Sequence, residues 1–311
     1  MTKRLVLALG AAFAVAALAA AAGLASGSGS TLRGNITADG SSTVGPYTTT
    51  AAEMFKKIHS RVNVTVGISG TGGGFERFCR GEIDLANASR GIRASESKRC
   101  ADNGIAWIAF TVANDGIAIV VNKANTWATC LTVQQLNEMW KSGSRVNNWR
   151  DVNPSFPDQS LRLFGPGTDS GTFDFFTEAI NGRARSSRTD FFPSENDNVI
   201  VQGVSGERGG LGYFGLSYYT ENKSRLNLVK VNNGNGCVAP TSKTVQSRRY
   251  KPLSRPLFIY VKRTSFVKAP VKAFIGFILR KEREIARKAR FVPLTDAQLA
   301  LSRAKFKGKR R

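Results

Sequence analysis

Residues 62–92 read VNVTVGISGTGGGFERFCRGEIDLANASRGI. The first part, VNVTVGI, alternates β-branched and polar residues, the pattern of a strand. SGTGGG (69–74) then breaks the pattern with turn-forming residues. From Gly74 to Arg80 the apolar spacing predicts the start of a helix. DLANA (84–88) predicts a second short strand, which ends at Ser89 and Arg90. Strand, loop, helix and strand in that order make one α/β unit.

The same order recurs outward in both directions. DGSSTVGP (39–46) precedes a predicted helix around 49–58. Residues 105–112 and 116–122 predict two strands separated by the polar pair Asn114 and Asp115. In 132–141, Val133, Leu136 and Trp140 share one helical face and Thr132 stands at the N-cap position. A short strand over 161–164 leads into GPGTDSGT (165–172) and then a helix over 172–180. Strands are predicted over 226–231 and 257–262. A long basic helix over 270–290 carries an apolar face at Phe274, Ile275, Phe277 and Ile278. The fold class predicted from this alternation is α/β.

Three loops rich in Gly, Ser and Thr (39–46, 69–74 and 165–172) therefore stand where strands pass into helices. Such loops aim backbone N–H groups at one point, and a helix N-terminus adds partial positive charge. Ser and Thr hydroxyls add rotatable donors. That is a way to hold an oxyanion with few cations. Arg90 supplies a planar fork suited to two oxygens of a tetrahedral anion. No loop has the G-x-x-x-x-G-K-[ST] spacing of a nucleotide phosphate loop, G-x-G-x-x-G or G-x-S-x-G. His59 is the single histidine, so a Ser-His-Asp hydrolase has little support and a histidine-based metal site is not expected. Donor loops without a nucleophile–base pair point to binding rather than turnover, with no enzyme activity, cofactor or metal expected.

The N-terminus has Lys3 and Arg4, an apolar run over 5–22 and a small-residue exit to Ser30. That order predicts a secretory signal peptide over 1–30. No cysteine follows the run before Cys79, so a lipid anchor is not expected. Four cysteines, Cys79, Cys100, Cys130 and Cys237, suggest disulfides in an exported chain, with three pairings open. The formal net charge of +23 fits small anions, anionic surfaces or nucleic acid, but a simply Lys/Arg-rich solvated face is the expected reading. No aromatic-interleaved basic groove or zinc-finger spacing occurs, so nucleic acid is not expected as a partner.

Together the segments 40–55, 67–92, 112–122, 131–140, 164–180 and 209–219 resemble, in order, the phosphate-binding proteins of Pst-type ABC importers, within the periplasmic solute-binding superfamily. The resemblance implies two lobes joined by crossover strands, with inorganic phosphate clamped between them and passed to a membrane permease. Lobe 1 would comprise residues 31–113 and 254–311, and lobe 2 residues 114–253. By the same resemblance Ser42, Thr43 and Val44 form the first anion loop, and Thr71 and Gly72 the second. Ser89 and Arg90 form the third contact, and Ser170, Gly171 and Thr172 the second-lobe contact. Better-known members carry an Asp near the Ser89–Arg90 position and an Arg shortly before S-G-T, where this chain has Pro166. Arg90 is therefore expected to be the sole cation at the site. Asp115 and Asp169 are candidates for accepting a phosphate proton, which would exclude sulfate. Other oxyanions (sulfate, molybdate, arsenate) are the alternative ligands, and a phosphatase-like enzyme is the alternative class. Under the two-lobe arrangement Cys79 is expected to pair with Cys100 and Cys130 with Cys237. The product is expected to be a monomer, periplasmic or extracellular.

Overall fold

The structure, a computed structural model, describes residues 32–308 apart from Asp169 and Glu195. The expected signal peptide, the candidate Asp169 and the last three residues of the basic tail lie outside the described residues.

The first elements are β1 (Gly34–Gly40), α1 (Val44–Lys56), β2 (Val62–Val66), α2 (Gly70–Cys79), β3 (Leu85–Ala88), α3 (Ala94–Asp102) and β4 (Trp107–Asn122). Next come β5 (Cys130–Thr132), α4 (Val133–Trp140), α5 (Trp149–Val152), β6 (Arg162–Gly165), α6 (Gly171–Asn181), β7 (Phe192–Pro193), α7 (Asp197–Gly206) and β8 (Gly210–Gly215). The chain continues through α8 (Leu216–Asn222), β9 (Leu226–Asn232), β10 (Cys237–Val238), α9 (Ser242–Gln246) and β11 (Ser254–Lys262). It closes with α10 (Arg263–Phe266), α11 (Ala269–Lys288) and α12 (Asp296–Phe306).

The main path of strands runs β2-β1-β3-β11-β4-β8-β6-β7, and β9 links β4 to β5 and β10. The strands β1, β2 and β3 are mutually parallel, and β11 runs antiparallel between β3 and β4. The predicted pair of strands around Asn114 and Asp115 is one continuous 16-residue strand. Its polar midpoint does not break it because both side chains find partners. The Asn114 Nδ2 donates to the Pro293 carbonyl at 3.2 Å and to Gln298 at 3.1 Å, and Asp115 accepts from Arg255. Residues from Trp107 to Gly116 pair with β11, and Ile117–Val121 pair with β8.

Two large apolar cores result. One is built from residues between Ile36 and Ala113 together with residues between Leu257 and Leu299. The other draws on residues from Ile117 to Leu253, with Val292 added from the C-terminal region. In the first, the predicted face of α11 is buried, and the Phe55 ring meets Phe274 at 5.2 Å and Phe277 at 5.3 Å. In the second, Trp140 packs edge-on against Phe176 and Tyr213. Thr132 caps α4 as expected, accepting from the Gln135 N–H at 3.0 Å.

Both helix starts near the glycine-rich loops come earlier than predicted. α1 begins at Val44, with Pro46 in its first turn, where a missing N–H costs nothing. α2 begins at Gly70, so SGTGGG is mostly first helical turn rather than loop. The reason is contact. A Cβ on Gly74 would lie 2.4 Å from the Gly40 Cα, so glycine is what lets α2 lie against the end of β1. The two disulfides join Cys79 to Cys100 and Cys130 to Cys237, the expected pairs. The first fastens α2 to α3, and the second fastens β5 to β10. Among the described residues no helix is long and apolar enough to cross a membrane.

Candidate functional site

The turns that follow β1 and β3, and the start of α2, converge because their parallel strands all end at one edge. Asp39, at the end of β1, ties two of them together. Its Oδ1 accepts from the Gly40 N–H at 2.7 Å and from the Ser69 N–H at 3.0 Å, and its Oδ2 is bound by Arg77. Thr71 Oγ1 lies 3.1 Å from Ser89 Oγ and accepts from the Ser89 N–H at 3.3 Å. These bonds fix Ser41–Thr43, Gly70–Gly72 and Ser89–Arg90 on one wall of a cleft of about 260 Å³. Asp174, Glu178 and Ala184 stand on the facing wall, and Arg93 and Arg255 complete the lining.

Of the residues expected at the site, Ser42, Thr43, Thr71, Gly72, Ser89 and Arg90 line this cleft. Val44 is fully buried at the start of α1, with its N–H 3.4 Å from the Ser41 hydroxyl. Ser170, Gly171 and Thr172 are next to the cleft rather than on its lining. Ser170 caps α6, its Oγ accepting from the Thr172 N–H at 3.2 Å. Gly171 presses on Thr43: an added Cβ would lie 2.3 Å from the Thr43 nitrogen and 2.4 Å from its Oγ1. Thr43 Oγ1 donates to the Gly171 carbonyl at 3.0 Å, so the two walls touch here. Ser42 Oγ reaches Asp174 Oδ2 across the cleft at 3.4 Å.

The expectation of Arg90 as the sole cation does not hold. Its fork is spent on Glu96, with bonds of 2.8 and 2.7 Å. Burial alone would raise the Glu96 carboxyl, yet the bonds from Arg90 and Arg93 hold it below the ordinary carboxylate range. A second guanidinium, Arg255, reaches the cleft from the start of β11. Its Nη2 donates to Thr43 Oγ1 at 2.7 Å and lies 3.4 Å from the Gly171 carbonyl. Its Nε faces Asp115 Oδ2 at 3.4 Å, and its plane stacks 3.6 Å from the Phe175 ring centre.

Asp115 is therefore not a lining residue. It is buried beside Arg255 on the neighbouring strand. Burial pushes its carboxyl up and the Arg255 guanidinium down, and the attraction between them opposes both. Arg255 has no local sequence signature. It sits 212 residues from Thr43, and only the pairing of β11 with β4 brings it to the site. Asp174 and Glu178, one turn apart on α6, carry a readable spacing, since i and i+4 share a helix face. Arg93 bridges toward Glu178 at 3.8 Å across the mouth. Among the described residues no group of three metal-ligating side chains exists.

Residues 25–282 match the family model described as a PBP superfamily domain. The chain is 46% identical over 278 residues to Protein SphX of Synechococcus elongatus, covering 88% of this chain and 82% of that one. It is 38% identical over 291 residues to the Phosphate-binding protein PstS of Staphylococcus saprophyticus, covering 92% and 88%. A crystal structure of a possible phosphate binding protein from Planctomyces limnophilus superposes with a TM-score of 0.85 at 42% identity, covering 90% of this chain and all of that one. An ABC-type phosphate transport receptor from Vibrio cholerae superposes with a TM-score of 0.65 at 25% identity, covering 84% and 100%. The expected α/β binding-protein fold is thus the observed one, and the chain belongs to the PBP superfamily, in the family of PstS and SphX.

Proposed function

We propose that this chain captures inorganic phosphate outside the cytoplasm and delivers it to the permease of an ABC importer. The observation that carries this reading is the convergence of hydroxyls and helix starts from separate β-to-α turns, with the half-buried Arg255, on one small cleft. Backbone N–H groups at the starts of α1 and α2, with the hydroxyls of Ser42, Thr71 and Ser89, would hold the anion's oxygens. Arg255 supplies the charge, and a guanidinium stays protonated even when buried. The names of the relatives, phosphate-binding protein and ABC-type phosphate transport receptor, support the same ligand and partner.

The separate apolar cores support two lobes, residues 31–113 with 254–311 and residues 114–253, moving about the crossovers at Asp115 and Arg255. Export through the N-terminal segment and a monomeric product complete the reading. Calorimetric titration of ligand-stripped protein tests it: heat is expected with phosphate and none with sulfate at the same concentration. Absence of phosphate binding, or release of phosphate from a model phosphomonoester, would overturn it.

A further inference from the structure

The positive charge of this chain is concentrated in one region. Residues 263–308 hold 12 Lys and Arg against three Asp and Glu, whereas residues 32–262 hold 28 against 17, with Asp169 and Glu195 not counted. Per residue, the net charge of the C-terminal stretch is about four times that of the rest of the described chain. All twelve cations are exposed, while Glu282, one of the three acids, is fully buried.

Glu284 and Asp296 are engaged by Lys281, Lys288 and Arg283. Arg263, Lys272, Arg280, Arg287, Lys305 and Lys307 have no carboxylate partner among the described residues. On α11, residues 272, 280, 283 and 287 fall on one side at 100° per residue. α12 is laid along this helix: Arg303 donates to the Leu279 carbonyl at 3.0 Å, and Phe306 lies beside Gly276. The cations of the two helices thus form one surface.

Lys268 pairs with the buried Asp84 and Arg290 with Glu221, and the cleft uses none of these cations. α11 begins against Gly34, the first residue of β1, where Pro270 packs. The cleft lies at the other end of that strand. Exposed aliphatic side chains stand among the cations. Val267 is 79% exposed beside Lys268, and Leu301 is 46% exposed one turn from Lys305. Val267 follows Phe266, whose ring meets Phe306 at 5.5 Å, so α12 ends close to it. A hydrated polyanion would neutralise the cations but leave these aliphatic groups in water. A lipid surface satisfies both, with headgroup phosphates at the Lys and Arg side chains and the aliphatic groups at the acyl boundary.

We infer that the α11–α12 face docks on an anionic lipid bilayer, holding the protein at the membrane with its cleft free. The attachment is electrostatic and reversible, so it falls with salt. It serves a chain that has no cysteine between its apolar N-terminal run and Cys79 for lipid attachment.

The test uses residues 32–311, which form one compact unit by themselves. Co-sedimentation is measured with phosphatidylcholine vesicles, with and without phosphatidylglycerol. Binding is expected only with phosphatidylglycerol and is expected to vanish as salt is raised. The triple variant Lys272→Glu, Arg280→Glu, Arg287→Glu should bind about a hundredfold more weakly, and the double variant Val267→Ser, Leu301→Ser about tenfold more weakly. Thermal unfolding checks that both variants remain folded; the milder pair Lys272→Gln, Arg287→Gln reads the same effect should the triple variant not fold. The inference is overturned by absence of binding to phosphatidylglycerol vesicles, or by charge variants that bind like the parent. Capture of soluble polyphosphate without capture of vesicles would also overturn it, making the face a polyanion site.

Discussion

Arg90 and Arg255 both border the cleft, but they are committed to different partners. Arg90 is held by Glu96, within its own wall, whereas Arg255 touches Thr43 from one wall and Gly171 from the other. Replacing Arg255 by Met should weaken phosphate binding by about 2–5 kcal/mol. Combining it with Asp115→Asn removes the buried charge that would otherwise be left unpaired. Arg90→Ala should cost only about 1 kcal/mol, as loss of a peripheral ion pair does. Calorimetry on the variants side by side checks this, and equal losses would return Arg90 to the role expected of it from sequence. Glu282 presents a separate case. It is fully buried, accepts from the Leu294 N–H at 2.7 Å, and burial raises its carboxyl to about 7. A folded-state value above the unfolded one favours the protonated form. Its stabilising contribution is therefore complete below about pH 4.5 and is lost as pH rises through about 7. Glu282→Gln should be more stable than the parent at pH 8, by up to about 3 kcal/mol, and little different at pH 4. Melting temperatures at the two pH values measure it; a parent whose stability relative to the variant does not change with pH would contradict the assignment. Ser42, Thr71 and Ser89 were legible in sequence because each sits at a strand end or helix start whose hydroxyl and N–H chemistry is local. Arg255 was not, because only strand pairing gives it a place.

Among the elements, the boundaries least legible in sequence were those decided by long-range contact. Asn114 and Asp115 look like a break, yet β4 runs through them because Pro293, Gln298 and Arg255 satisfy both side chains. SGTGGG looks like a loop, yet Gly74 must pack on Gly40, and that contact draws the run into α2. By contrast, α4 and the buried face of α11 were readable, since a Thr cap and a 3.6-residue apolar period are properties of the segment itself. The disulfides show a related division. Cys79 and Cys100 close a local unit, whereas Cys130 and Cys237, 107 residues apart, meet because β5 and β10 both pair with β9. A bridge closing so long a loop restricts the unfolded chain strongly. Cys130→Ser with Cys237→Ser should lower stability by about 3–5 kcal/mol, and the Cys79 and Cys100 pair by about 3 kcal/mol. Denaturant titrations would show this as unequal shifts in midpoint. A larger loss from the shorter loop would mean that local packing, rather than chain restriction, governs the Cys79–Cys100 bridge.

For the whole molecule, the question is what holds the two walls together. Their contact is narrow and specific: Thr43 Oγ1 donates to the Gly171 carbonyl, and Arg255 donates to that same hydroxyl. Ser42 with Asp174 and Arg93 with Glu178 add longer, weaker contacts. Asp115 and Arg255 lie on β4 and β11, the two strands that join the cores. The guanidinium that seals the walls is thus anchored at the hinge itself. Closure should then depend on how near Gly171 can come to Thr43. An alanine there would put a methyl group 2.3 Å from the Thr43 nitrogen, against backbone that cannot move aside as a side-chain end could. Gly171→Ala leaves every hydroxyl, N–H and cation of the cleft in place, so its effect reads closure alone. Phosphate should bind at least tenfold more weakly, chiefly through faster release, because an open cleft leaves the anion exposed to water. In small-angle scattering, the parent should contract when phosphate is added, and the alanine variant should stay expanded even at saturating phosphate. A variant that contracts and releases phosphate at the parent's rate would show that the Thr43–Gly171 contact does not govern the closed state.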